Sequence, residues 1–132
     1  MSVHAPIILF IYNRPDHTLQ TLEALAANTL AQESDLFIFA DGPKENATLE
    51  QLEKIKQTRE LARSKTWCKN VTVIESEKNK GLAASIISGV TEIANKYGRV
   101  IVLEDDIVTG KYFLEFMNTA LEKYADEKKI WH

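Results

Sequence analysis

Three consecutive carboxylates, Glu104-Asp105-Asp106, directly follow the apolar run at residues 100–103. Two unit charges ~4 Å apart interact by about 4 kcal/mol at an effective dielectric of about 20. Solvent, a basic neighbour, a raised pKa or a bound cation must offset that repulsion. A hard divalent ion that shares its oxygen ligands with substrate phosphates would do so. An acidic turn open to water would do so as well, but the position at the end of a buried strand favours the ion. Side chains alternate along a strand, which predicts Glu104 and Asp106 on one side and Asp105 on the other.

Three further segments carry chemistry of a matching kind. Asn79-Lys80-Gly81 leads into the small residues Ala83, Ala84 and Ser85. A helix start presents free N–H groups and a positive dipole end, which suits a phosphate, although the same residues also make an ordinary turn and cap. Asp41, before Gly42 and Pro43, could accept from a base or ribose, or cap its own turn. Arg14 could grip a diphosphate bidentately. Neither a Walker loop nor a Gly-x-Gly-x-x-Gly fingerprint is present. No nucleophile elbow is recognisable, and His4, His17 and His132 have no metal-ligand spacing on one element.

These segments must be held by the apolar runs that precede them. Residues 7–12, 36–40, 71–74 and 100–103 are short, nearly continuous and rich in β-branched or aromatic side chains. That is how parallel strands read when helices cover both faces of their sheet. Between them lie segments of helical period. Pro15 and Asp16 open the first, with Leu19, Leu22 and Leu25 or Ala26 on its stripe. Thr48 and Gln51 have capping-box spacing at the start of the second, which is expected to bury Leu49, Leu52, Ile55 and Ala62 and to present its Glu, Lys, Gln and Arg residues to solvent. The third follows Gly81, aligns Leu82, Ile86, Val90, Ile93 and Tyr97, and ends at Gly98. The fourth starts after Gly110, with Phe113, Phe116 or Met117, Ala120 and Tyr124 in register. Such alternation predicts an α/β domain, an αβα sandwich around a mostly parallel Rossmann-like sheet. Ligands bind such sheets beyond the carboxyl ends of the strands, where all the polar segments above fall. Residues 128–132 read as the opening of a fifth strand, so the chain is expected to be truncated.

Composition narrows the class. A chain of 132 residues, 45% of them hydrophobic, supports one domain with a real core. The net charge of −3 and the scatter of Lys and Arg leave no footprint for nucleic acid. The single cysteine, Cys68, excludes an internal disulfide framework and suits a reducing compartment. No apolar run approaches the ~20 residues that span a bilayer, and no signal peptide is recognisable. The expected location is cytoplasmic, peripheral to a membrane if a further region carries an anchor.

Taken in order, Ile-Ile-Leu-Phe-Ile-Tyr-Asn-Arg-Pro, Phe-Ala-Asp-Gly, Asn-Lys-Gly-Leu and Val-Ile-Val-Leu-Glu-Asp-Asp resemble the glycosyltransferases of GT-A fold. The likeness is to the family-2 type, with a Glu-Asp-Asp form similar to the N-acetylglucosaminyltransferase I type. The resemblance implies that residues 1–132 form the N-terminal, nucleotide-sugar-binding part of such a domain, without its acceptor-binding part. It implies that Asp106 binds Mn²⁺ or Mg²⁺ bridging the diphosphate of a UDP-sugar. Glu104 and Asp105 would lie near ribose and donor sugar, Asp41 would hold the base beside Tyr12, Asn13 and Arg14, and Asn79 and Gly81 would line the nucleotide pocket. The sugar would pass to a glycan or other hydroxyl acceptor bound by a region beyond this chain. The fragment alone is expected to be inactive, and no catalytic base is assigned. Ser85-Ile86-Ile87 stands where many relatives have Ala-Arg-Asn, so no arginine role carries over.

Other readings fit less well. A sugar nucleotidyltransferase would have a glycine-rich basic loop after the first strand, where this chain has Tyr-Asn-Arg-Pro-Asp. A signalling receiver domain would have acids after the first strand and a phosphoacceptor after the third. A nucleotide- or partner-binding α/β domain without transferase activity remains, and metal-dependent nucleotide binding separates it from the transferase.

Overall fold

The computed structural model describes residues 4–127. Strands β1 (Ile7–Ile11), β2 (Asp35–Ala40), β3 (Asn70–Glu75) and β4 (Ile101–Glu104) alternate with helices α1 (Pro15–Ala26), α2 (Leu49–Arg63), α3 (Leu82–Tyr97) and α4 (Phe113–Glu127). The four strands form one sheet in the order β3-β2-β1-β4, with every pairing parallel. The α/β architecture is the one expected. Tyr12 lies just past β1, and Val100 just before β4. A fifth strand at 128–132, and Tyr124's share of the α4 face, fall outside what the structure describes.

Every residue of β1 is buried, as its unbroken apolar sequence requires. The other strands alternate more than their sequences suggested, since each is less completely covered. Ile7, Leu9, Ile11, Leu36, Ile38, Ile101 and Leu103 face a core completed by Leu22 and Leu25 of α1, Ala62 of α2 and Leu114 of α4. On the opposite face Ile8 and Phe10 pack with Ile93, Ile86 and Val90 of α3. Among the described helices, α1, α2 and α4 therefore back one face and α3 backs the other.

Helix ends follow local chemistry. Pro15 occupies the first turn of α1, where a missing N–H costs nothing. At α2 the capping box forms as expected: Gln51 N–H donates to the Thr48 hydroxyl at 3.1 Å and Thr48 N–H to Gln51 Oε1 at 2.9 Å. Gly98 ends α3 with φ 85°.

Three expected stripes are shifted. On α2, Leu49 is 86% and Leu52 41% exposed, and the buried positions are Ile55, Thr58 and Ala62. The first turn of α2 is thus the least covered part of its stripe. On α3, Leu82 and Tyr97 are exposed at the two ends, although Tyr97 rests against Phe37. On α4, Phe113 and Met117 pack against the core as expected, but Phe116 and Ala120 face solvent while Leu114 and Asn118 point inward. The α4 register is set by polar anchors that an apolar pattern does not register. Asn118 Oδ1 accepts from the backbone of Ala5 at 2.8 Å, and Asn28 Oδ1 accepts from Leu114 N–H at 2.9 Å.

Asn28 is buried, and its amide nitrogen also donates to Ala24 O and Thr109 Oγ1. It fastens the segment after β4 to the end of α1. Replacing it with alanine strands the Leu114 N–H, so Asn28→Ala is expected to lower unfolding free energy by about 2–3 kcal/mol in urea titration.

Candidate functional site

Strand order reverses at β1, which has β2 on one side and β4 on the other. A cleft of about 430 Å³ opens there, beyond the carboxyl ends of the strands. That is ample for a nucleotide-sized ligand. Tyr12, Asn13 and Arg14 after β1, Asp41 after β2, Asn79 and Gly81 before α3, and Glu104, Asp105 and Asp106 after β4 all line it. The structure thus brings together every site residue anticipated from the sequence. Phe10, Phe39, Lys44, Leu82 and Ser85 also line the cleft, and sequence reasoning missed them. Lys44 was within reach of it, three places past Asp41 on the same loop. Phe10 and Phe39 were classed only as strand, yet their rings stack with centroids 5.5 Å apart beneath the cleft.

The acidic wall is positioned by α1. Thr21, buried on that helix, donates its hydroxyl to the backbone carbonyl of Asp105 at 3.0 Å. Ile107 N–H closes a turn onto Glu104 O at 3.2 Å. The strand ends at Glu104, and Glu104, Asp105 and Asp106 all belong to the lining of the cleft. Arg14 Nη1 lies 3.5 Å from Asp105 Oδ1, whose side chain is 14% exposed. The basic neighbour needed by the triplet is therefore Arg14. Burial nonetheless raises the Asp105 carboxyl above its ordinary value; Arg14 opposes this, Asp106 adds to it, and His17 and Glu104 act more weakly in the lowering and raising directions.

Asp41 shows the turn-capping arrangement. Its Oδ1 accepts from Gly42 N–H at 2.8 Å and Lys80 N–H at 2.9 Å. Its Oδ2 accepts from Gly81 N–H at 3.1 Å and Asn79 Nδ2 at 3.2 Å. A carboxylate offers about four lone-pair sites, so these donors engage it fully. Asp41 fastens the 76–81 loop to the end of β2. Gly81 enters α3 with φ 82°, a conformation that favours glycine. At Gly42 a Cβ would lie 2.6 Å from Ser76 O and 2.7 Å from the carbonyl carbons of Glu77 and Lys78, so the two loops touch through backbone alone.

Among the described residues no group of three or more His, Cys, Asp or Glu side chains is arranged to enclose a metal by itself. The wall at 104–106 instead offers hard oxygen donors on one side of a cleft. Such a donor set fits Mg²⁺ or Mn²⁺ completing its shell with water and phosphate oxygens, and does not fit a closed zinc site.

The sequence matches the profile described as glycosyl transferase family 2 over residues 7–126. The chain belongs to this family. Among solved structures, TarS of S. aureus matches with a TM-score of 0.53 and 16% identity over 91% of this chain. The chain spans 20% of the TarS chain. Curated proteins give no match. The family and the structural likeness together make the fold the Rossmann-like GT-A arrangement of glycosyltransferases. In an open α/β sheet the crevice at the strand-order reversal is where ligands bind. No described helix is long and apolar enough to cross a membrane.

Two outcomes follow for this family-2 domain. The raised Asp105 carboxyl means that the folded chain binds protons more tightly than the unfolded one. Stability is therefore lost as pH rises from the ordinary carboxylate range through the folded value. In EDTA, Asp105→Asn is expected to melt above the unsubstituted chain at pH 7, with the difference vanishing below about pH 4, where aspartate is protonated in either state. Gly42→Ala forces the two loops apart and is expected to lose about 2 kcal/mol of stability in the same melts.

Proposed function

We propose that this domain binds the nucleotide-diphospho-sugar donor, a UDP-sugar, of a metal-dependent glycosyl transfer to an acceptor hydroxyl. One observation carries the reading. Four segments remote in sequence converge on a single cleft at the strand-order reversal, bringing the carboxylates of 104–106 together with Arg14, Lys44, Asn79 and Gly81 in its lining. Residues 1–132 would serve as the donor-binding part, and acceptor recognition would require residues beyond them.

Each residue then has a physical task. Asp106, at the exposed end of the triplet, would hold Mn²⁺ or Mg²⁺, with Glu104 and Asp105 facing ribose and sugar. A bound cation neutralises charge on the departing nucleoside diphosphate. Arg14 and Lys44 supply positive charge toward the same phosphates. Phe10 and Phe39 provide an apolar floor. Asn79 and Gly81 border the nucleotide, while Asp41 keeps them in place through the bonds it accepts.

Calorimetric titration of UDP tests this. Binding is expected with Mn²⁺, is expected to be abolished by EDTA, and should weaken by roughly tenfold or more in Asp106→Asn, since losing even an outer-shell partner costs a metal site about that much. Equal affinity in EDTA would remove the cation from the reading. Failure of UDP to bind with Mn²⁺ would remove the donor site.

A further inference from the structure

Arg59 stands where α2 should be apolar. Ile55, Thr58 and Ala62 are the buried positions of that helix, and Arg59 falls within the same stripe, four residues after Ile55 and three before Ala62. Its side chain is 20% exposed. It lines no part of the cleft, and burying a guanidinium against a sheet is unfavourable unless its donors are met.

The two terminal nitrogens are engaged, while the buried Nε has no hydrogen-bond partner among the described residues. Nη2 donates to Ser76 O at 2.8 Å and to Asp41 O at 3.0 Å, while Nη1 lies 3.5 Å from Glu75 Oε1. Arg63 also pairs with Glu75. The last register pair between β2 and β3 is Ala40 with Glu75. Asp41 and Ser76 are therefore the next residues on each strand, where the two chains leave the ladder. Arg59 clamps them together at that point. From Ser76 the loop runs beneath Gly42 and reaches Asn79, Lys80 and Gly81, which Asp41 holds by its carboxylate. The backbone of Asp41 is gripped from behind by Arg59, and its side chain grips the loop in front.

We propose that Arg59 is a positioning residue for donor binding: acting through the Asp41 and Ser76 carbonyls, it fixes the 76–81 loop and so the wall of the cleft that α3 begins. The inference rests on the donor reading above. Holding a loop before the ligand arrives removes an ordering penalty from binding. The planar fork of arginine reaches two carbonyls and a carboxylate at once, whereas a lysine ammonium is a point charge on a flexible stem.

The test compares Arg59→Met, Arg59→Lys and Arg63→Ala in the intact chain, by hydrogen exchange at the Lys80 and Gly81 amides and by UDP titration with Mn²⁺. Arg59→Met is expected to speed exchange at those two amides by roughly tenfold, with the β1 amides little changed, and to weaken UDP by a similar factor. Arg59→Lys should fall between, and serves if the methionine variant does not fold. Arg63→Ala, which removes only the outer partner of Glu75, should leave both readouts alone. Unchanged exchange at Lys80 and Gly81 would overturn the proposal. So would equal acceleration across β1, or a loosened loop that binds UDP as before. Lack of UDP binding by the unsubstituted chain is a separate result, and it would overturn the donor reading itself.

Discussion

The rest of the structure depends on β1 being paired on both edges and buried on both faces. A strand in that position has no place for a polar side chain along its length, so its first polar groups come only where it stops. Parallel pairing then brings the ends of β2 and β4 to the same side of the sheet. The cleft needs no element of its own. It lies where strand order reverses, with β2 and β4 on opposite edges of β1.

Two helices on one face then shape opposite walls of that cleft. Helix α1 reaches the acidic wall through Thr21 and carries Arg14 at its start. Helix α2 reaches the far wall through Arg59. Both work through backbone carbonyls, which fixes where the loops run without constraining what the loop side chains face. On Arg59, burial and the nearby Arg63 lower the guanidinium below its ordinary value while Asp41 pulls the other way, yet an arginine stays charged. The clamp is therefore a permanent charge. Cys68 behaves in the opposite manner. Burial first, and Asp35 second, push its thiol up to about 12, so it stays protonated within the core.

The sequence was most legible where one physical signal dominates. Unbroken β-branched runs marked the strands, Thr48 and Gln51 marked the start of α2, and polar residues after strand ends marked the cleft. It was least legible where tertiary contacts decide. Leu49 and Leu52 carry the apolar character of a buried stripe, but burial requires neighbours, and at the first turn of α2 the two stay exposed. The α4 face was read in part: Phe113 and Met117 pack inward, but Asn28 and Asn118 set its rotation through hydrogen bonds, and asparagine looks like surface in a hydrophobicity pattern. Arg59 was grouped with solvent-facing charges, although its spacing from Ile55 and Ala62 placed it on the inner stripe. Asp41 was left between two roles because its four donors come mainly from a loop almost forty residues away.

The register of β1 has a consequence for how the chain is made. Ile7 partners Leu36 on one side and Ile101 on the other. During synthesis from the N-terminus, one edge of the central strand can be satisfied early, and the other must wait until most of the domain has left the ribosome. An apolar strand with an open edge is a template for wrong pairings. Contacts so distant in sequence also form slowly. The nascent domain therefore passes through an interval in which its most hydrophobic segment has a bare edge, and chaperone demand should peak before β4 emerges.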